Sequence, residues 1–145
     1  MEEMRMQRRN FGARALAGAA LVTALPLAAK AANDRDAGWQ NLVFTKMNPG
    51  HWAGAESLHV PVLTLTGQTL TGQTLTVRTP HPMSVPHYIV SHSVVLQGGV
   101  FLDRKTFTPA DQPVSTHTLP AGYKGEVVVT STCNLHDFWV ERLSV

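Results

Sequence analysis

The stretch EVVVTSTCNLHDFWVERL, from Glu126 to Leu143, decides the fold class. It reads as two strands, Glu126–Ser131 and Phe138–Leu143, on either side of a polar turn. Both are rich in the Val, Thr and aromatic residues that suit a pleated, half-buried surface. The same pattern recurs upstream in Leu58–Thr66, Thr69–Arg78, Tyr88–Leu96, Gly99–Leu102 and Val114–Leu119, with Gly, Pro and Asp clusters between them. No segment after residue 40 keeps a 3.6-residue apolar period over three turns. About seven short strands in roughly 110 residues predict an all-β fold, an immunoglobulin-like antiparallel β-sandwich. The chain has one cysteine, so no internal disulfide staples that sandwich. Packing or a metal must do that job.

One short repeat spans the first two of the upstream segments. Thr64-Leu65-Thr66-Gly67-Gln68 recurs as Thr69-Leu70-Thr71-Gly72-Gln73, and Thr74-Leu75-Thr76 begins a third copy. A shift of five is odd and swaps the two faces of a strand. The repeat therefore predicts a hairpin turning at one of the two Gly-Gln pairs. Two copies of five residues cannot bury a core, which excludes a solenoid.

The chain has 145 residues, 43% of them hydrophobic and 15% charged, with a formal charge of +2. That length allows one ordinary domain, and that composition excludes a charge-driven disordered tail. The basic surplus sits at the N-terminus. Residues 1–31 carry Arg5, Arg8, Arg9, Arg14 and Lys30 against Glu2 and Glu3, which leaves residues 32–145 with seven basic and eight acidic side chains. Arg8-Arg9-Asn10-Phe11, the apolar run Ala15 to Ala29 and the small-x-small end Ala29-Lys30-Ala31 read as a twin-arginine signal peptide. The expectation is export to the periplasm and one domain over 32–145. The leader is too short and too Ala-rich for a stable membrane span. No Lys/Arg cluster interleaves with aromatics, so nucleic acid is not an expected partner.

Seven histidines beside one cysteine exceed what packing needs in a small domain. His81-Pro82-Met83-Ser84-Val85-Pro86-His87 holds two imidazoles six apart on a loop stiffened by two prolines. Cys133-Asn134-Leu135-His136 puts a thiolate and an imidazole on one tight turn, where both can bind one metal. His59-Val60-Pro61-Val62 adds a further imidazole at a strand start. A lone His on a strand is usually a surface or hydrogen-bonded residue, and His51, His92 and His117 fit that description. His92 has the opposite parity to His87, so it points away from that site.

Taken together, His59 to Val62, His81 through Tyr88-Ile89, and Cys133-Asn134-Leu135-His136 with Trp139 resemble the catalytic domain of superoxide reductases (neelaredoxin and desulfoferrodoxin). Gly50-His51-Trp52-Ala53-Gly54 resembles the G-x-W-x-G loop of that family. The resemblance covers roughly residues 50 to 145. It implies one mononuclear non-haem iron held by His59, His81, His87 and His136, with Cys133 as the axial thiolate. A thiolate opposite an open position pushes electron density onto iron. The implied activity is reduction of superoxide to hydrogen peroxide with electrons from an external donor protein; a homo-oligomer is compatible with it. Asn134 is placed for loop N–H groups to reach the sulfur. Tyr88, Phe138 and Trp139 wall the site or fill the core.

Two positions depart from the family pattern. The family usually has Glu-Lys before the first ligand, where this chain has Ser57-Leu58. Glu56, one step back, is the candidate for the family's acidic residue, and Lys46, Arg104, Lys105 and Lys124 are candidates for its cation. Asp137 stands where the family commonly has Gly, as a hydrogen-bond acceptor or a turn cap. The alternatives are an iron-binding sandwich without efficient superoxide reduction, a cupredoxin-like copper electron-transfer protein, and a metal-free binding module. A cupredoxin needs an axial ligand soon after its last histidine, and no Met follows His136.

Overall fold

A computed structural model of the chain describes residues 42–68 and 72–145. The twin-arginine segment 1–31 lies outside the described residues. Eight strands appear among those described: β1 (Val43–Phe44), β2 (Val62–Gln68), β3 (Gly72–Arg78), β4 (Ile89–Leu96), β5 (Val100–Thr106), β6 (Val114–Thr118), β7 (Glu126–Cys133) and β8 (Phe138–Ser144). They form two sheets, ordered β1-β8-β7-β4-β5 and β2-β3-β6. The pairings are antiparallel except for the short β1–β8 pair. The chain is a β-sandwich, as its strand spacing predicts. Leu75, Val77, Val94, Leu96, Leu119, Val127 and Val129 are its main core. All but Leu119, which follows β6, face inward from strands, as on β7, where Val127, Val129, Ser131 and Cys133 share the buried face and alternate with half-buried positions.

The repeat folds as a hairpin whose turn lies between its two Gly-Gln pairs rather than at either one. Gly67 pairs with Gln73 and Gln68 with Gly72, so both Gly-Gln pairs lie in the ladder; residues 69–71 are outside the described residues. The useful shift is then ten, which preserves face. Leu65 meets Leu75, and Thr64 and Thr66 meet Thr76 and Thr74. Gly67 is required there: its φ is +91°, and a Cβ would stand 3.0 Å from the Gly72 carbonyl oxygen.

Two segments differ in their bounds from expectation, and one strand was not expected. Leu58 and His59 are not strand residues; they close a one-turn helix, α1 (Glu56–His59). Pro61 forces Val60 into an extended conformation and offers no N–H to a ladder, so β2 starts only at Val62. β5 runs on through Asp103, Arg104 and Lys105, because as an edge strand it exposes both faces and keeps no apolar period. β1 is too short to leave a pattern, yet its Phe44 is fully buried against Trp139 at 5.6 Å.

Among the described residues no helix is long and apolar enough to cross a membrane.

Candidate metal centre

The site lies at one end of the sandwich, on segments that adjoin both sheets. Each ligand histidine is placed by local chemistry. The α1 turn brings the Ala55 carbonyl within 2.8 Å of His59 Nδ1. That nitrogen donates, so Nε2 keeps its lone pair and faces the site. Between His81 and His87 the chain makes a tight turn, in which Ser84 and His87 exchange backbone bonds at 3.0 and 3.1 Å. The C-x-x-H loop closes when Cys133 N–H donates to the Asp137 carbonyl at 3.0 Å. Closure puts Asp137 in the left-handed region at φ +60°, where the family's usual Gly carries no steric cost.

Asn134 ties the two ligand loops together. Its N–H donates to the Tyr88 carbonyl, its Oδ1 accepts from Tyr88 N–H at 2.9 Å, and its Nδ2 donates to the Pro86 carbonyl at 3.0 Å. Amides of Leu135, His136 and Asn134 also pull down the Cys133 thiol pKa. Burial outweighs them and raises it, with the nearby Asp137 carboxylate adding to the rise.

His59, His81, His87, Cys133 and His136 converge, with ligand atoms all within 4.8 Å of one another. His59 Nε2 is 2.8 Å from His136 Nδ1, which is 3.0 Å from His87 Nε2, which is 3.0 Å from His81 Nε2. Four nitrogens on a square of that edge, 3.0 Å, have a centre about 2.1 Å from each corner, as in bonds from imidazole nitrogen to a divalent metal such as zinc. Cys133 Sγ lies 3.7 Å from His136 Nδ1. The donor set therefore fits one metal ion. Three of these imidazoles, His59, His81 and His136, are pushed toward the neutral form that ligands need. Burial, and then the neighbouring histidines, push His81 down to about 4, and the pKa values of His59 and His136 are lowered chiefly by burial.

Two tryptophans wall the cluster. Trp139 is fully buried, stacks on His59 at 5.4 Å and donates from Nε1 to the His136 carbonyl at 2.8 Å. Trp52 packs edge-on against His136 at 4.5 Å, and its Nε1 donates to Asp137 Oδ2 at 2.9 Å. The role of Trp52 was not readable from the sequence, although its G-x-W-x-G setting was the available signal. Phe138 is largely exposed and Tyr88 half-buried. Asp137 acts as the acceptor its position allows.

Glu56 lies outside the converging group. Its carboxylate accepts from Gly54 N–H at 2.9 Å, which lowers its pKa. It lines a groove beside the site together with Lys46, Glu141 and Arg142. Leu58 is 45% exposed. His51 stays near the surface, 3.7 Å from Asp137. His92 and His117 are buried in the core, outside the cluster.

A small β-sandwich with four imidazoles and one thiolate around a single point is a mononuclear metal-binding protein by fold and site. The family model for desulfoferrodoxin matches residues 51–142, and the chain belongs to that family. Among solved structures it is similar to a variant of superoxide reductase (neelaredoxin) from Ignicoccus hospitalis. Identity is 25% and the TM-score 0.65, over 72% of this chain and 93% of that one. The fold also matches a putative superoxide reductase from Thermotoga maritima, at 20% identity and TM-score 0.59, covering 72% and 92%. A variant of superoxide reductase (neelaredoxin) from Archaeoglobus fulgidus in the reduced form shares the fold too, at 22% and 0.54, covering 61% and 89%. A search of curated proteins found no significant match.

Proposed function

We propose that the chain is an iron-dependent oxidoreductase that reduces superoxide to hydrogen peroxide. The convergence of four imidazole nitrogens, linked in series at 2.8–3.0 Å, with one thiolate beside them carries this reading. Bound ferrous iron would supply the one electron; the superoxide anion takes it with two protons to become hydrogen peroxide. The protein's own groups prepare that exchange. The Ala55 carbonyl fixes the His59 tautomer, Asn134 holds the two ligand loops in register, and Trp52 and Trp139 keep water from one side of the ring. Loop amides favour the Cys133 thiolate, which would donate charge to a bound metal. The chain has a single cysteine and cannot build a second, cysteine-ligated centre alone, so the electron comes from a separate donor protein. We further propose that residues 1–31 direct export to the periplasm.

A second reading is iron binding with slow superoxide reduction. It rests on Leu58, which occupies the place of the family's lysine, and on Glu56, whose carboxylate is turned to Gly54. Copper electron transfer is less well supported, because its trigonal His2Cys pattern leaves two of these four imidazoles unused.

Metal analysis with visible spectra tests the main reading. Anaerobically purified protein should hold about one iron per ligand set. Oxidation should bring a thiolate-to-iron charge-transfer colour that Cys133→Ser abolishes. Folded protein from iron-supplied cells that is colourless and iron-free would overturn it.

A further inference from the structure

A chain of polar groups crosses the core without joining the metal cluster. Asp103 Oδ2 accepts from His117 Nδ1 at 2.7 Å, and His117 Nε2 is 2.8 Å from Ser115 Oγ. Ser115 Oγ is 2.8 Å from His92 Nδ1, His92 Nε2 is 2.8 Å from Thr79 Oγ1, and Thr79 Oγ1 is 2.8 Å from Ser131 Oγ. Asp103 is exposed; every other member is buried, with His92 and Ser131 at zero exposure.

Only one proton arrangement satisfies every link with both imidazoles neutral. The Asp103 carboxylate has no proton, so His117 Nδ1–H donates to it. His117 Nε2 is then a bare lone pair and takes the Ser115 hydroxyl proton. Ser115 oxygen accepts from His92 Nδ1–H, which leaves His92 Nε2 to accept from Thr79. Thr79 in turn accepts from Ser131. Each hydroxyl is thereby held in one rotamer.

The far end of this chain underlies two ligands. Thr79 precedes His81 by two residues, and its carbonyl accepts His81 N–H at 2.8 Å. Ser131 precedes Cys133 by two residues on the same buried face of β7. Between them the β4–β7 ladder slips: Ile89 pairs with Cys133 and His92 with Ser131, with a shift between Ile89 and Ser91. The backbone ladder is therefore interrupted where these ligands need placing.

We propose that His92 is a positioning residue of the metal centre. By accepting the Thr79 proton it locks Thr79 against Ser131, and so fixes the chain ends that carry His81 and Cys133. The inference rests on the metal-centre reading above. It assigns a role to a core histidine that touches no ligand.

Cobalt(II) is the probe, because its thiolate charge-transfer and d–d bands report the ligand set without turnover. His92→Gln keeps an acceptor for Thr79 and loses the Ser115 bond. His92→Asn keeps the Ser115 bond and loses Thr79. Thr79→Val removes the hydroxyl at near-constant volume. Groups that support a ligand typically change metal affinity 10- to 100-fold, so His92→Asn and Thr79→Val should weaken cobalt binding at least about tenfold and shift the thiolate band. His92→Gln should stay within about threefold of wild type. Equal effects of Asn and Gln, or an unchanged band in Thr79→Val, would overturn the proposal. The reaction of Cys133 with a disulfide reagent in metal-free protein, compared at matched global stability, gives a second measurement. The rate should rise about tenfold in His92→Asn and Thr79→Val and not in His92→Gln, as local opening of the ligand strand predicts. If wild type takes up cobalt without a thiolate band, the metal-centre reading fails. The thiol rates then decide on His92 alone, and equal rates in all variants sink its positioning role.

Discussion

Acid should destabilise this sandwich through His92. Its side chain has zero exposure, the Phe107 ring stands edge-on to it at 4.8 Å, and its hydrogen-bond partners Thr79 and Ser115 are neutral hydroxyls. Along the polar chain the next titratable groups are His117 and, beyond it, Asp103, and Lys105 stands opposite His92 on β5. Burial, and secondarily His117, holds the His92 pKa down at about 4, against an ordinary value of 6.5. Between those values the unfolded chain binds a proton that the native state refuses. Stability from His92 is therefore complete above about pH 6.5 and is lost as the pH falls toward about 4. At 1.36 kcal/mol per pH unit, proton linkage removes about 2 kcal/mol by pH 5 and about 3 kcal/mol by pH 4. Urea unfolding of metal-free wild type and His92→Gln, from pH 7.5 down to pH 5, measures it. His59, His81 and His136 are also held low by burial, but they contribute equally to both proteins and cancel in the difference. The stability gap between the two should narrow by about 2 kcal/mol at pH 5. Curves that stay parallel within about 0.5 kcal/mol, the usual limit of additivity, would refute this account.

Three further outcomes follow from the site. Asn134→Ala removes the side-chain bonds to Tyr88 N–H and the Pro86 carbonyl, so chelator competition should show about tenfold weaker metal binding. Asp137→Gly relieves a left-handed residue, worth about 1 kcal/mol. It also loses the Trp52 acceptor, a bond of similar size, so thermal stability should change by less than about 1 kcal/mol while tryptophan emission shifts to the red. Leu58→Lys should speed the reaction with superoxide in stopped-flow traces, and more at low salt; identical rates at every salt concentration would show that a cation at that position is not limiting.

The sequence marks some of these features better than others, for physical reasons. Four of the five converging side chains sit in paired motifs on tight turns, and such turns survive any small error in strand boundaries; His59 stands alone and was placed by the resemblance. The fold class was equally legible, because every second residue of β6 and β7 is buried. The core polar chain was not. Parity counted from His87 turns His92 away from the metal site, and it does lie outside the cluster. The slip between Ile89 and Ser91 puts Ser91 and His92 both among buried residues, and no count along a regular strand contains that irregularity. β1 escaped notice because two residues form no period, and the role of Trp52 because its contacts with Asp137 and His136 join positions far apart in the chain.

The lack of a disulfide leaves the question of what joins the two sheets, and two devices share that task. His59 leads into β2, and Thr79-Pro80-His81 follows β3, both in the three-stranded sheet; His87 leads into β4, and Cys133 and His136 sit between β7 and β8, in the five-stranded sheet. A metal at the centre of these ligands ties one sheet to the other. The polar chain repeats the tie within the core, since His117 and Ser115 on β6 reach Asp103 on β5 and His92 on β4, and Thr79 reaches Ser131 on β7. Both fastenings end at the same ligand-bearing segments. A metal that binds only the folded state adds stability by mass action, so the tie through the ligands strengthens as free metal rises above its dissociation constant. The core chain does not depend on metal. It can hold His81 and Cys133 near their places before the ion arrives, which lowers the ordering cost of binding.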